Sequence, residues 1–291
     1  MSPRPERSRR GGSGSGGGAR REGGPPRRGR PSTGASGGSG AAPEPLPGGA
    51  TIIYGRNAVR EALRGRRTVD HVWATEPASH EPWLSPVGGN HAPVELARSE
   101  ELEARCGSTG HQGICARVGP YPYAGAAELL AREAPLIVAL DELQDPQNLG
   151  AICRTAECVG ATGVVIPERR AADVTPAVCK ASAGAVEHLP IARVRNLADF
   201  LGQAKDAGCW CYGAAAGAGS VPYDAPDYAG GVVLVMGAEG SGLRDRVAAS
   251  CDQLVSLPLL GRIDSLNVSA AASALLYGIL RQRAGVQHRN G

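Results

Sequence analysis

Lysine is nearly absent from this 291-residue chain: it occurs only at positions 180 and 205, and no G-x-x-x-x-G-K-[ST] run surrounds either. A phosphate-cradling P-loop is therefore excluded. Aromatic residues make up 4%, with a single Phe. No apolar run approaches the ~20 residues that a membrane-spanning helix requires. The basic start leads into Gly and Ser rather than into a hydrophobic stretch, so it does not read as a secretory signal. The eight Cys form no C-x-x-C pair, and the six His show neither HExxH nor H-x₃₋₅-H spacing. No metal site is expected. The cysteines read as reduced, buried small hydrophobes of a cytoplasmic chain.

What is present is unevenly spread. Residues 1–50 hold nine Arg against three acids, a net of +6, with 15 of the 42 Gly and 8 of the 22 Pro. Such a segment cannot bury enough apolar surface to offset its chain entropy, and disorder is expected. It is either a solvated linker or a source of salt-sensitive phosphate contacts. The other 241 residues carry 22 basic and 25 acidic groups and are long enough for a true core.

Hydrophobic patterning divides that remainder in two. Residues 51–118 read as a small α/β domain, with strands over 51–54, 69–74 and 112–118 and helices over 57–63 and 99–105. Residues 76–93 read as loop with one short helix. Residues 119–135, helical over 126–133, form a linker. From 136 to 291 strands alternate with helices: strands over 136–140, 163–166, 189–194, 209–214, 232–236 and 253–257, helices over 149–159, 176–183, 197–207, 243–249 and 268–283. The strands are short continuous apolar runs, as expected when helices cover both faces of a mainly parallel sheet. In such a domain the ligand site lies where strands run out at their carboxyl ends.

Three of those strand ends are chemically unusual. After the first, Asp145-Pro146 marks a turn, Asn148 is placed to cap the next helix, and Arg154 follows one and a half turns in. After the fifth comes a glycine-rich turn with Gly237, Gly240 and Gly242. Its G-x-x-G-x-G spacing is not the G-x-G-x-x-G of dinucleotide sites, which disfavours a nicotinamide-dependent oxidoreductase. After the sixth, Leu257 to Ser269 leads into the last helix, with Asn267 and Ser269 as candidate caps. Arg262 and Asp264 read there as loop charges.

Taken in order, Asn148-x-Gly150-x-x-x-Arg154, Met236-Gly-Ala-Glu-Gly240 and Ser265-Leu-Asn-Val-Ser269 resemble the motifs of the SpoU/TrmH branch of the SPOUT RNA ribose 2′-O-methyltransferases. With Tyr54-Gly55 and His111-Gln-Gly113, the front unit is similar to the substrate-binding domain of bacterial 23S rRNA guanosine 2′-O-methyltransferases. The resemblance implies an α/β fold with a C-terminal trefoil knot and a homodimer formed through the knotted region. It implies S-adenosylmethionine held largely by backbone atoms, at Gly237, Leu257 and Leu266. Asn148, Arg154, Glu239, Ser265 and Asn267 take the catalytic and site-shaping positions. The implied substrate is a guanosine ribose of 23S rRNA. The alternatives are a tRNA, another rRNA site of the antibiotic-resistance type, or a non-catalytic RNA-binding assembly factor. The family mechanism gives proton removal to the arginine matching Arg154. A guanidinium pKa above 12 fits better with holding a phosphate and stabilising a developing alkoxide.

Overall fold

The computed structural model describes residues 47–85, 92–217 and 219–287. The disorder expected for residues 1–50 falls almost wholly outside them; of that segment only 47–50 is described, with a single 3-10 turn at Pro47–Gly49.

Four strands, β1 (Thr51–Tyr54), β2 (Val69–Ala74), β3 (Val94–Leu96) and β4 (Ile114–Val118), form one sheet in the order β1-β4-β2-β3. β4 runs antiparallel to β1 and β2, and β3 adds parallel to β2. Alternate residues face opposite sides, as the pleat requires. Ile53 and Ala116 pack with Ala58, Val59 and Ala62 of α1 (Arg56–Arg64). Cys115 and Trp73 pack on the other side with Leu102 and Cys106 of α3 (Ser99–Cys106). Between β2 and β3, the expected short helix is α2 (Glu76–Ser79). Strand β3 escaped the sequence pattern because all three of its residues are exposed and give no alternation of burial.

The second sheet is wholly parallel. Its strands are β5 (Leu136–Leu140), β6 (Gly163–Pro167), β7 (Ile191–Val194), β8 (Trp210–Ala214), β9 (Ser220–Pro222), β10 (Val232–Met236) and β11 (Gln253–Ser256), in the order β7-β6-β5-β10-β8-β11-β9. Strands β5, β6 and β10 are buried along their whole length. Leu136, Val138 and Leu140 face the helix layer of Leu149 and Ile152, whereas Ile137 and Ala139 face Phe200 and Leu201. Burial on both faces produces the continuous apolar runs seen in the sequence. Strand β9 was not expected; it has three residues, lies at the sheet edge and ends on Pro222, which an edge tolerates.

The helices are α4 (Ala126–Leu130), α5 (Pro146–Cys158), α6 (Pro176–Ala181), α7 (Leu197–Asp206), α8 (Asp245–Ser250) and α9 (Val268–Gln287). Helix α5 starts three residues before the expected position. Asp145 Oδ1 accepts the Gln147 N–H at 2.9 Å and Pro146 sits in the first turn. Asp145 is therefore the cap, and Asn148 is not. Thr175 caps α6, its hydroxyl oxygen accepting the Val178 N–H.

A buried ion pair joins the two sheets. Arg67 Nε donates to Glu187 Oε2 at 2.9 Å and Nη2 donates to Glu187 Oε1, with both side chains almost fully enclosed. Burial opposes the charge on Arg67, but the carboxylate outweighs it and raises the guanidinium pKa above its ordinary value. Nearby, Lys180 of α6 donates to the Gly110 carbonyl and lies 5.2 Å from the centre of the Tyr54 ring. Gln112, at φ 55, accepts the Arg56 N–H through Oε1 at 3.0 Å. The Tyr54-Gly55 and His111-Gln-Gly113 segments thus sit where the small sheet meets α6. Among the described residues no helix is long and apolar enough to cross a membrane.

Candidate active site

Strand β5 is followed outward by β6 and β7, whereas β10 lies on its other flank. This reversal leaves a crevice at the carboxyl ends of β5 and β10, where ligands bind in open parallel sheets. A pocket of about 450 Å³ opens beside it, lined by Ala214–Ala216, by Met236 to Leu243, by Leu257 and Leu259, and by Asp264 to Leu266. That volume suits a drug-sized molecule. Gly237, Glu239, Leu257, Ser265 and Leu266 all lie in its wall.

Gly237 is required by the loop itself. A Cβ there would stand 2.2 Å from the carbonyl carbon of Gly242, because the loop folds back with reciprocal Ala238–Gly242 backbone hydrogen bonds of 3.1 and 3.0 Å. Gly240 and Gly242 have φ of 80° and 67°, which side chains disfavour. Gly150 is required by packing, since a Cβ there would meet Ala181 Cβ at 2.4 Å.

Asn267 ties three loops together. Its Oδ1 accepts the N–H groups of Ser269 and Ala270, at 2.9 and 3.3 Å, and the Ser269 hydroxyl at 2.6 Å. Backbone N–H groups only donate, so the amide orientation is determined and Nδ2 points the other way. Nδ2 donates to Asn148 Oδ1 at 3.0 Å and to Glu239 Oε1 at 2.6 Å. Asn267 therefore caps α9, as its sequence position indicated, while joining the first and second motifs through its other end. Helix α8 begins at Asp245, six residues beyond Glu239, so Glu239 belongs to the glycine loop and not to the first turn of that helix.

Arg154 is placed differently. It is exposed on α5, outside the pocket wall, and its side chain makes no hydrogen bond or ion pair with any described residue. The adjacent Thr155 faces α9, its hydroxyl 2.9 Å from that of Ser273.

Two residues of the site carried no motif. The Asp141 side chain is completely buried and pairs with Arg244, Oδ1 to Nη2, at 2.6 Å. Its hydrogen bonds hold the Arg244 guanidinium pKa above the ordinary value. The signal available beforehand was positional: an acid on the first residue past a buried strand and a base two residues past the glycine turn. No cluster of His, Cys, Asp or Glu suited to a metal ion occurs among the described residues.

The pocket fits S-adenosylmethionine in kind. It has small side chains at the carboxyl end of β8 and just beyond it, and backbone brought to the surface by a loop that admits no Cβ at Gly237. Residues 135–277 match the SpoU rRNA methylase family, and residues 52–124 match the substrate-binding family of RNA 2′-O ribose methyltransferases. A Bacillus subtilis protein that carries the name TrmH family tRNA/rRNA methyltransferase is 39% identical over 253 residues, covering 79% of this chain and 95% of its own. An uncharacterised tRNA/rRNA methyltransferase of Synechocystis is also 39% identical, over 80% of this chain; the match spans only 62% of that longer protein. Among solved structures, the SpoU methyltransferase AviRb of Streptomyces viridochromogenes, in complex with S-adenosylmethionine, matches at TM-score 0.69 and 26% identity, over 81% of this chain and 91% of its own. An S-adenosylmethionine-bound rRNA methyltransferase of Sinorhizobium meliloti matches at TM-score 0.67 and 29% identity, over 80% and 87%. The chain belongs to the SpoU rRNA methylase family and is an S-adenosylmethionine-dependent RNA methyltransferase.

Proposed function

We propose that the chain methylates the 2′-hydroxyl of a guanosine ribose in 23S rRNA. The observation that carries the catalytic part is the Asn148–Asn267–Glu239 bridge beside the pocket, which fixes three loops relative to one another. The methyl donor, when bound, supplies an already activated electrophile. The chain's own residues then have to align the hydroxyl oxygen with it and help the hydroxyl lose its proton. Gly237, Leu257 and Leu266 present backbone to the donor, and Ser265 shapes the same wall. Asn148, Asn267 and Glu239 hold the geometry. Arg154, exposed and without a protein partner, takes the phosphate beside the target ribose and stabilises the developing alkoxide.

In this reading residues 51–118 bind the RNA, residues 119–135 link, and residues 136–291 carry out methyl transfer in the cytoplasm. The segment from β11 into α9 forms the family's trefoil knot. Support for a homodimer through this region comes from Leu260, Ile263, Leu266 and Tyr277, which are 98, 74, 50 and 53% exposed. Large apolar side chains left exposed along one stretch of chain are of the kind that an interface covers.

The test is transfer of a radiolabelled methyl group from S-adenosylmethionine to purified 23S rRNA, 16S rRNA and tRNA, followed by mapping of ribose methylation in a deletion strain. Label in a guanosine of 23S rRNA is expected. Label only in tRNA or at another rRNA site would move the substrate, and no label in any RNA would leave a non-catalytic assembly factor.

A further inference from the structure

The glycine loop between β10 and α8 closes on itself through the Ala238–Gly242 pair, so it holds its own shape. A self-contained ring still has to be aimed, because Glu239 and the pocket wall ride on it. Its exit is fastened to the end of β5. Asp141 Oδ2 accepts the Arg244 backbone N–H at 2.9 Å, while Oδ1 accepts from Arg244 Nε at 2.8 Å and Nη2 at 2.6 Å. Three donors of one residue thus converge on one carboxylate that has no exposure to solvent. A planar guanidinium engaged at two nitrogens, together with its own backbone N–H, leaves little freedom to rotate.

The neighbouring backbone adds a second observation. Glu142 adopts φ 57°, a region that residues with a Cβ rarely enter, and such conformations persist only where the surroundings over-determine them. Its carboxylate is engaged from the glycine-loop side by Arg244 Nη1 at 3.0 Å, and more loosely by the largely exposed Arg170, whose Nη1 lies 3.4 Å from the same Oε1. Arg244 therefore grips two consecutive residues at the end of β5, directly beside the crevice.

We propose that the Asp141–Arg244 pair is the latch that aims the glycine loop, which makes Arg244 a positioning residue for the methyl donor. The inference rests on the reading of this pocket as the S-adenosylmethionine site. Releasing the latch lets the loop leave its binding shape, and the apparent affinity falls by the fraction of molecules that remain competent.

The test is calorimetric titration of the full chain with S-adenosylmethionine and, separately, S-adenosylhomocysteine. Arg244→Ala is expected to weaken both by about tenfold, which corresponds to a loop correctly aimed about one time in ten. Arg244→Lys, with a single ammonium that cannot bridge the carboxylate, should rescue little, and it carries the test if the alanine variant does not fold. Arg170→Ala, which touches Glu142 but not Asp141, should bind like the wild type. Asp141→Asn added to Arg244→Ala should cost nothing further, because the two act as one unit. Arg244→Ala also leaves the Asp141 carboxylate buried without its counter-charge and should lower the melting temperature, whereas the added Asp141→Asn, which removes that charge, should restore the melting temperature without restoring affinity, a separation that a purely structural contact would not give. Wild-type affinity in Arg244→Ala, or independent and additive losses from the two substitutions, would overturn the latch. A wild-type chain that binds neither compound would instead overturn the assignment of the pocket.

Discussion

The amide of Asn267 donates to the carboxylate of Glu239 across 2.6 Å, joining residues 28 positions apart that lie on separate loops. The same nitrogen reaches Asn148, 119 positions away, while the oxygen of that amide starts α9. Every hydrogen-bonding position of the side chain is used, so the residue is both a helix cap and the junction of the site.

This double role can be separated. Asn267→Ala is expected to lose the cap, worth ~1 kcal/mol, and to slow single-turnover methyl transfer by about a hundredfold, the scale of one lost oriented group in an active site. Asn267→Asp retains the cap acceptor but sets a carboxylate against Glu239. Its melting temperature should stay near that of the wild type while turnover is lost. Near-normal turnover in the aspartate variant would show that the bridge is structural only.

Arg154→Ala should abolish methyl transfer and leave stability and S-adenosylmethionine affinity within a few-fold of the wild type. The side chain is exposed and has no protein partner, so its removal leaves no group unsatisfied. Calorimetry and a thermal melt alongside a labelled-methyl assay check this. Retained turnover would make Arg154 an ordinary surface arginine.

Gly237→Val, and even Gly237→Ala, should remove S-adenosylmethionine binding from a protein that still folds. The added carbon collides with the loop's own backbone at Gly242, 2.2 Å away, rather than with the ligand. The loop must open to relieve the clash. Unchanged affinity in titration calorimetry would place the donor elsewhere.

Arg67→Met should destabilise the chain by about 3–5 kcal/mol, because it leaves the Glu187 carboxylate buried without a counter-charge. The double variant Arg67→Met, Glu187→Leu should recover most of that loss, since both charges then leave the interior together. Urea denaturation of the single and double variants measures the difference. An equal loss in both would mean that packing around Tyr121 and Cys179, and not charge, holds the two sheets together.

Much of the molecule is legible in the sequence alone. Strands β5 and β10 match their expected limits because burial on both faces leaves an uninterrupted apolar run bounded by polar residues. Strands β3 and β9 were not legible: each has three residues at a sheet edge, and neither burial nor length marks them. The start of α5 was misplaced because Asp145 and Asn148 are both good caps and spacing alone does not choose between them. The choice was made by α9, which draws Asn148 inward to Asn267.

Local chemistry in the sequence, namely which residues favour turns, caps and buried strands, thus determined the order of elements and the three motif-bearing loops. What joins those loops was decided only by the tertiary structure. The contacts Asn148–Asn267–Glu239, Asp141–Arg244 and Arg67–Glu187 connect residues 28 to 120 positions apart. A side chain's hydrogen-bonding capacity is written in its identity, but its partner depends on which strand ends the sheet order brings together. Parallel pairing of β10 beside β5, set by the packing of two helix layers, places those ends within reach.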